Sequence, residues 1–339
     1  MNVRRLLAGA LAPVVMAAGL VSCSSGGGDR LTIYSGRQSE LIAPLLEEFS
    51  DDTGIGIDVR YGDSADLALL IEEEGDRSPA DVFLSQSPGA VGFLDANNRL
   101  TKLPDDVLDR VEPRFRAPDG DWVGISGRVR VLVYNSDLVD PAELPDSVFD
   151  LTDEQYRGRV AVAPPNASFQ DFVTAMRESV GDDETLAWLE GMVANDVRTY
   201  ANNIAIVEAV GRGEIELGLV NHYYNEEVKA ENPDAPSENY LFPGADLGAV
   251  ILVTAAGVLR SGDSDADAER LVEYLLSQQA QEFYARETLE YPLAAGVEPV
   301  VEDLPPLASI QSPELDLSSL GGELTETKQL IERSGLEQA

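Results

Sequence analysis

The 339 residues contain one cysteine, one histidine and three lysines, and only 6% are aromatic. Each shortage closes off a chemistry. Cys23 stands alone, so the chain can form no internal disulfide, and Cys/His zinc sites cannot be built. With His222 as the sole histidine, multi-histidine metal centres are excluded. A Ser/His/Asp hydrolase would depend on His222, yet no G-x-S-x-G elbow supplies its nucleophile. No G-x-x-x-x-G-K-[ST] phosphate loop is present. Basic residues number 24 against 61 acidic ones, a formal net charge of −37. A field of that sign and size repels phosphate backbones and excludes nucleic acid as a partner. The acidic residues are dispersed rather than gathered in a tail. They read as a highly soluble surface suited to salt, where repulsion is screened, in preference to a cation-attracting field around one cleft.

What is present begins with an address. Arg4 and Arg5 precede an apolar run from Leu6 to Val21, which ends in Leu20-Val21-Ser22-Cys23. A basic start, a short apolar stretch and a small residue before the cut describe a secretory signal over residues 1–22. Cysteine directly after Leu-x-Ser resembles the bacterial lipobox, which implies cleavage before Cys23 and a diacylglyceryl group on its thiol. A plain secretory peptide with an incidental cysteine is the alternative. Residues 23–29, rich in Ser and Gly, then form a flexible tether on the lipid. Loss of Arg4 and Arg5 takes the net charge from −37 to −39. No other run approaches the roughly 18 apolar residues of a membrane span. The expected location is the extracytoplasmic face of the cytoplasmic membrane, reached through the lipid alone.

In the remaining chain, short apolar runs alternate with amphipathic segments, the pattern of an α/β fold. Strands are expected at Leu31 to Tyr34, Ile55 to Tyr61, Asp81 to Ser85, Val160 to Ala163, Ile215 to Val220 and Ala249 to Thr254. Helices are expected at Ser39 to Phe49, Ala65 to Glu74, from about Ser168, at Thr185 to Val193, Ile204 to Val210, Ala266 to Tyr284 and Leu324 to Ile331. The long apolar stretch Trp122 to Asn135 is the candidate for a segment that passes between two lobes. Strand–helix alternation without a nucleotide loop, behind an export signal, suggests a solute-binding protein with two α/β lobes, a cleft and hinge strands. The lobes are expected to comprise residues 30–128 with 252–305, and 129–251 with 306–339.

Two places could hold a ligand. Asn221-His222-Tyr223-Tyr224 follows a strand, where α/β folds bind their ligands. Deprotonated phenols are hard anionic donors suited to a hard trivalent cation such as Fe(III). By spacing alone, a packed aromatic pair is the simpler account. Pro164-Pro165-Asn166-Ala167-Ser168 is a strand-to-helix turn with capping residues, where exposed N–H groups favour an anion. Plain helix capping is the simpler account there.

Several blocks together are more specific: "TIYSG" at Thr32 to Gly36, "EEEGDRSPADVFLS" at Glu72 to Ser85, "SGRVRVLVYN" at Ser126 to Asn135, "TLAWLEG" at Thr185 to Gly191, "NHYY" at Asn221 to Tyr224 and "EYPL" at Glu290 to Leu293. In this order they resemble the ferric-ion-binding proteins of bacterial iron ABC importers. The resemblance implies a type II periplasmic-binding-protein fold with a transferrin-like cleft. It implies Fe(III) as cargo, Tyr223 and Tyr224 as its ligands, and a synergistic anion (phosphate, carbonate or citrate) on Asn166, Ala167, Ser168, Asn203 and Asn221. Arg128 and Arg130 match basic residues near the cleft. The chain departs from the family at three points. Gln38 stands where one branch has a histidine ligand, Gln86 where it has a glutamate ligand, and Phe169 where another branch has a third tyrosine. A neutral amide oxygen is a poor substitute for carboxylate towards Fe(III). His222 occupies a position that is not a ligand in the family, and it is expected to be structural or on the surface. The implied protein is a monomeric receptor that hands its cargo to an importer permease and catalyses nothing. A same-fold receptor for an organic anion, a polyamine or a ferric chelate is the alternative. An enzyme on this fold would lack an evident acid, base or nucleophile.

Overall fold

The computed structural model describes residues 30–262, 265–297, 305–322 and 324–338. The expected signal, Cys23 and the tether lie outside the described residues.

One strand explains the architecture. The fourteen residues Trp122–Asn135 form a single strand, β5, buried along nearly its whole length. Before it come β1 (Leu31–Ser35), β2 (Ile57–Tyr61), β3 (Val82–Ser85) and β4 (Leu100–Thr101). After it come β6 (Val160–Val162), β7 (Arg198–Thr199), β8 (Leu217–Asn221), β9 (Ser237–Tyr240), β10 (Ile251–Leu259) and β11 (Tyr291–Pro292). The strand order is β2-β1-β3-β10-β5-β8-β6-β7. The first half of β5 lies antiparallel to β10, from Trp122 opposite Gly257 to Val129 opposite Ile251. Its second half, Arg130 to Tyr134, lies antiparallel to β8. Thus one strand belongs to both half-sheets, and β10 returns the chain to the first. The two-lobe α/β fold expected from the alternation is present, and the segment predicted to pass between lobes is β5.

Helices cover both faces of the half-sheets, so the central strands are buried on both sides and read as unbroken apolar runs. In the first lobe these are α1 (Ser39–Thr53), α2 (Ser64–Glu74), α3 (Pro88–Ala96) and the single turn α4 (Asp105–Leu108). In the second they are α5 (Ala167–Val180), α6 (Asp182–Ala194), α7 (Asn203–Gly211) and α8 (His222–Glu231). Then follow α9 (Asp265–Leu275), α10 (Gln278–Glu287) and α11 (Leu324–Ser334). The single helix expected from Ala266 to Tyr284 is in fact two, α9 and α10. Ser277 adopts extended backbone, and its hydroxyl accepts the Ala280 N–H, which caps a new helix. The apolar periodicity runs on across this break, and so hides it.

The C-terminal segment joins both lobes. Ser318 and Leu320 press on α3, where a Cβ on Gly92 would collide with the Ser318 carbonyl. The Ser318 hydroxyl also accepts the Trp122 indole N–H at 3.2 Å. Farther on, α11 packs on α5 and α6. There the buried Thr327 hydroxyl meets Thr174 at 2.8 Å and Arg177 Nη1 at 3.1 Å.

Candidate metal- and anion-binding site

In both lobes, the carboxyl ends of parallel strands open directly into helix N-termini, the usual ligand side of such sheets. In the first lobe, β1 turns through Gly36, Arg37 and Gln38 into α1, and β3 turns through Gln86 and Ser87 into α3. Gly36 is required by crowding, since a Cβ there would collide with the Ser64 hydroxyl at the start of α2. In the second lobe, β6 leads to Asn166 at the N-cap of α5, and β8 leads straight into α8.

The anion loop predicted at α5 is a closed group of polar side chains. Asn166 Oδ1 accepts the Ser168 N–H at 3.0 Å, the Ser168 hydroxyl at 2.6 Å and Asn203 Nδ2 at 3.2 Å. Asn203 Nδ2 also donates to the Ser168 hydroxyl at 3.0 Å. From the opposite side, Arg130 Nη1 donates to Ser168 Oγ and to Asn221 Oδ1, each at 3.2 Å. Its Nη2 donates to the Leu219 carbonyl at 3.0 Å. The structure therefore brings Asn166, Ala167, Ser168, Asn203, Asn221 and Arg130 together. Three of their buried polar atoms have no hydrogen-bond partner among the described residues: Arg130 Nε, Asn203 Oδ1 and Asn221 Nδ2.

Arg130 is fully buried, and no carboxylate lies within ion-pair distance of it among the described residues. Burial pulls its pKa down to about 10, with the phenols of Tyr224 and Tyr223 acting in the opposite sense. It remains a cation at neutral pH, attracted by the Asp171 carboxylate only from beyond ion-pair distance, and a buried cation so weakly compensated is costly. The donor chemistry of this corner therefore fits an anion.

Tyr223 and Tyr224 are the second and third residues of α8. Their rings lie 4.1 Å apart between centroids, tilted by 32°. Tyr223 is buried and Tyr224 half-buried. Burial, then the neighbouring Tyr224, push the Tyr223 phenol well above its usual pKa, and the Arg128 guanidinium works against them. Without a metal ion, the Tyr223 phenol is protonated at neutral pH.

The two departures behave differently. Gln38 is exposed at the N-cap of α1 and makes no capping bond with its side chain. Gln86 is half-buried, and its Oε1 accepts from Arg37 Nη1 at 3.4 Å. A guanidinium only donates, so the amide oxygen of Gln86 faces Arg37. Arg128 donates to the Gln86 main-chain carbonyl and to that of Val253.

His222 is buried within the protein, with both ring nitrogens committed. Nδ1 accepts the Val129 N–H at 3.3 Å, and Nε2 bonds the Leu289 carbonyl at 2.9 Å. Burial lowers its pKa to about 4. It is a neutral structural link between α8, the hinge strand β5 and the segment before Glu290. Trp188 is core, edge-on to Phe172 with its N–H on the Val148 carbonyl.

Residue patterns along the chain gave no sign of a buried ion pair beside this site. Arg37 Nη2 lies 2.9 Å from Glu290 Oε2, and both side chains are essentially inaccessible. Glu290 also accepts the Ser126 hydroxyl at 2.6 Å. Arg37 and Glu290 lie 253 positions apart, so no local pattern pairs them. The one sequence signal was the "EYPL" block itself.

Comparison with known proteins places this geometry. The family profile described as "Bacterial extracellular solute-binding protein" matches residues 77–317. The Fe(3+)-binding periplasmic protein of Serratia marcescens is 31% identical over 309 residues, 90% of this chain and 90% of that protein. The major ferric iron-binding protein of Neisseria meningitidis is 30% identical over 326 residues, 95% of this chain and 97% of the relative. The crystal structure of iron-bound HitA from Pseudomonas aeruginosa superposes with a TM-score of 0.82 at 34% identity, covering 90% of this chain and 99% of HitA. The Trichodesmium protein IdiA (FutA), solved with iron and citrate ligands, superposes with a TM-score of 0.79 at 26% identity over 90% of this chain and 99% of its own. The Serratia and Neisseria relatives are named as binding proteins. By profile, sequence and fold, the chain belongs to the bacterial extracellular solute-binding protein family.

Proposed function

We propose that this protein is the extracytoplasmic receptor of a ferric-ion ABC importer. It captures Fe(III) with the phenolates of Tyr223 and Tyr224, holds a synergistic anion beside them and delivers the ion to a permease. The observation that carries the reading is the tyrosine pair, side by side in the first turn of α8, in a chain similar along nine-tenths of its length to iron-bound HitA. Two phenolates leave one positive charge on Fe(III). They fill two of about six positions that a hard cation offers. An anion on Ala167 and Ser168, met by Asn203, Asn221 and the buried charge of Arg130, balances that charge. It also offers an acceptor to the two buried donors that otherwise lack partners, Arg130 Nε and Asn221 Nδ2. Arg128 completes the basic side of the cleft. Gln38 and Gln86 contribute no charge, so the anion carries more of the coordination than in relatives with His and Glu ligands.

The direct test is a visible spectrum during titration with ferric citrate, since phenolate-to-iron charge transfer colours the protein. A protein that stays colourless and retains no iron would point to a receptor for another ligand. Anion dependence tests the second half of the proposal. Ferric affinity, measured by competition, should rise with added phosphate, carbonate or citrate. Ala167→Leu should abolish that rise by filling the anion position, without touching a phenol. Equal, anion-independent affinity in both proteins would mean that side chains alone complete the shell.

The receptor is proposed to be a monomer tethered through diacylglyceryl on Cys23. Cys23→Ser should leave the body folded, because the tether that follows, Ser24 to Gly28, carries no apolar core residue, and should release the protein from the envelope. Continued partitioning of the variant into detergent would remove the lipid anchor from the account.

A further inference from the structure

Asp171 has no part in the site as described so far. It lies on α5, about one turn beyond Ser168, and is 8% exposed. Its Oδ1 accepts the Ser87 hydroxyl at 2.7 Å. Ser87 belongs to the other lobe, where it caps α3 by accepting the Gly89 N–H at 3.2 Å. The bond therefore crosses the cleft and ties the beginning of one helix in each lobe.

A carboxylate can accept about four hydrogen bonds. Asp171 accepts this one, and no arginine or lysine comes within ion-pair distance among the described residues. Arg128 and Arg130, on the hinge strand, attract it from longer range, and Asp63 at the N-cap of α2 repels it. Burial outweighs the attraction and raises its pKa to about 6. When the lobes part, water reaches the carboxylate and the penalty disappears.

We propose that Asp171 governs cargo release: its under-compensated carboxylate opposes full closure of the lobes, and the Ser87 hydroxyl is the contact that keeps closure accessible. Iron enters this inference only as the cargo named in the ferric reading; closure itself can be measured without it. The sign follows from the open and closed states. In an open cleft, water would solvate Asp171 and bring its pKa back towards the ordinary carboxyl range. Closure raises that value, so closing takes up a proton between about pH 4 and pH 6, and acid favours the closed form. At neutral pH the ionised group holds the lobes towards opening.

Two variants should therefore act in opposite directions. Asp171→Asn keeps an acceptor for Ser87 and removes the charge. It should close more fully at neutral pH and release iron to a competing chelator roughly tenfold more slowly. Ser87→Ala removes the donor and should open the lobes and speed release. Ser87→Thr keeps the hydroxyl and should behave as wild type. Closure is read by small-angle scattering of the iron-free, full-length body at pH 5 and pH 7.5. The wild type should be more compact at pH 5, and Asp171→Asn compact and indifferent to pH. Retention of the wild-type pH response in Asp171→Asn would overturn the proposal. So would a shift of Asp171→Asn and Ser87→Ala in the same direction. If the protein binds no iron in any form, the ferric reading falls while the scattering still decides this one.

Discussion

Tyr223→Phe and Tyr224→Phe should each cost more ferric affinity than the roughly hundredfold lost when a partner behind a metal ligand is removed. Each change takes away one oxygen and leaves the ring, so the packing of the pair is preserved. Unfolding midpoints should barely move, while the charge-transfer colour fades or shifts. Acid should act on the same atoms. Burial and Tyr224 hold the Tyr223 phenol in its protonated form, and a phenol must lose its proton to bind iron as phenolate. With two protons released, wild-type affinity should fall by up to about a hundredfold per pH unit on acidification, and by about tenfold in either single variant. Competition titrations at pH 6, 7 and 8 measure both effects. Two single variants with wild-type affinity would remove the tyrosines from the metal.

The largest effect on stability is expected at Glu290. Glu290→Ala leaves Arg37 buried without the carboxylate 2.9 Å away and should destabilise the fold by roughly 3–5 kcal/mol, read from denaturant midpoints. The paired change Arg37→Met with Glu290→Leu should recover most of that loss, because it removes both charges from the interior. Burial on its own would raise the Glu290 pKa. The Arg37 and Arg128 guanidiniums, with hydrogen bonds from Arg37 and Ser126, hold it below the ordinary 4.5. A depressed carboxyl contributes stability that is present above its ordinary pKa and is lost as the pH falls through the folded value. The wild type should therefore weaken below about pH 4.5, and the doubly apolar variant should weaken less. A loss under 1 kcal/mol in Glu290→Ala would mean that water reaches Arg37.

Local pattern carried seven of the eleven described strands and most helices, because each of these buries a regular apolar face; β4, β7, β9, β11, α3 and α4 were not anticipated. It failed where that face is thin or continues past a boundary. Helix α8 was not anticipated: beyond the tyrosines, its residues Asn225, Glu226, Glu227 and Lys229 are polar, and Val228 is its one aliphatic side chain beside Ala230. The break at Ser277 was masked by apolar residues on both sides. In the candidate site, Tyr223, Asn166 and Asn203 stand out in the sequence because they begin helices after strands, where capping chemistry and local order coincide. Arg37 with Glu290, and Ser87 with Asp171, were not. Each pair is made by segments far apart in the chain, and neither residue type signals its partner. Gln38 and Gln86 looked alike on paper, but the first is exposed and the second is held by a guanidinium.

The path of β10 has a consequence for biogenesis. It lies between β3 and β5 in the first half-sheet, yet residues 251–259 are synthesised after strands β6 to β9 of the second lobe. A nascent chain that has made everything up to β9 still lacks a central strand of its first lobe. The Ser318 contact on α3 comes later still. Pairings so distant in sequence form slowly, because long loops must close before any contact rewards them. The ribosome therefore finishes nearly three-quarters of the polypeptide before the first domain can complete its sheet. That delay leaves most of the polypeptide as open chain for longer than a fold of consecutive strands would.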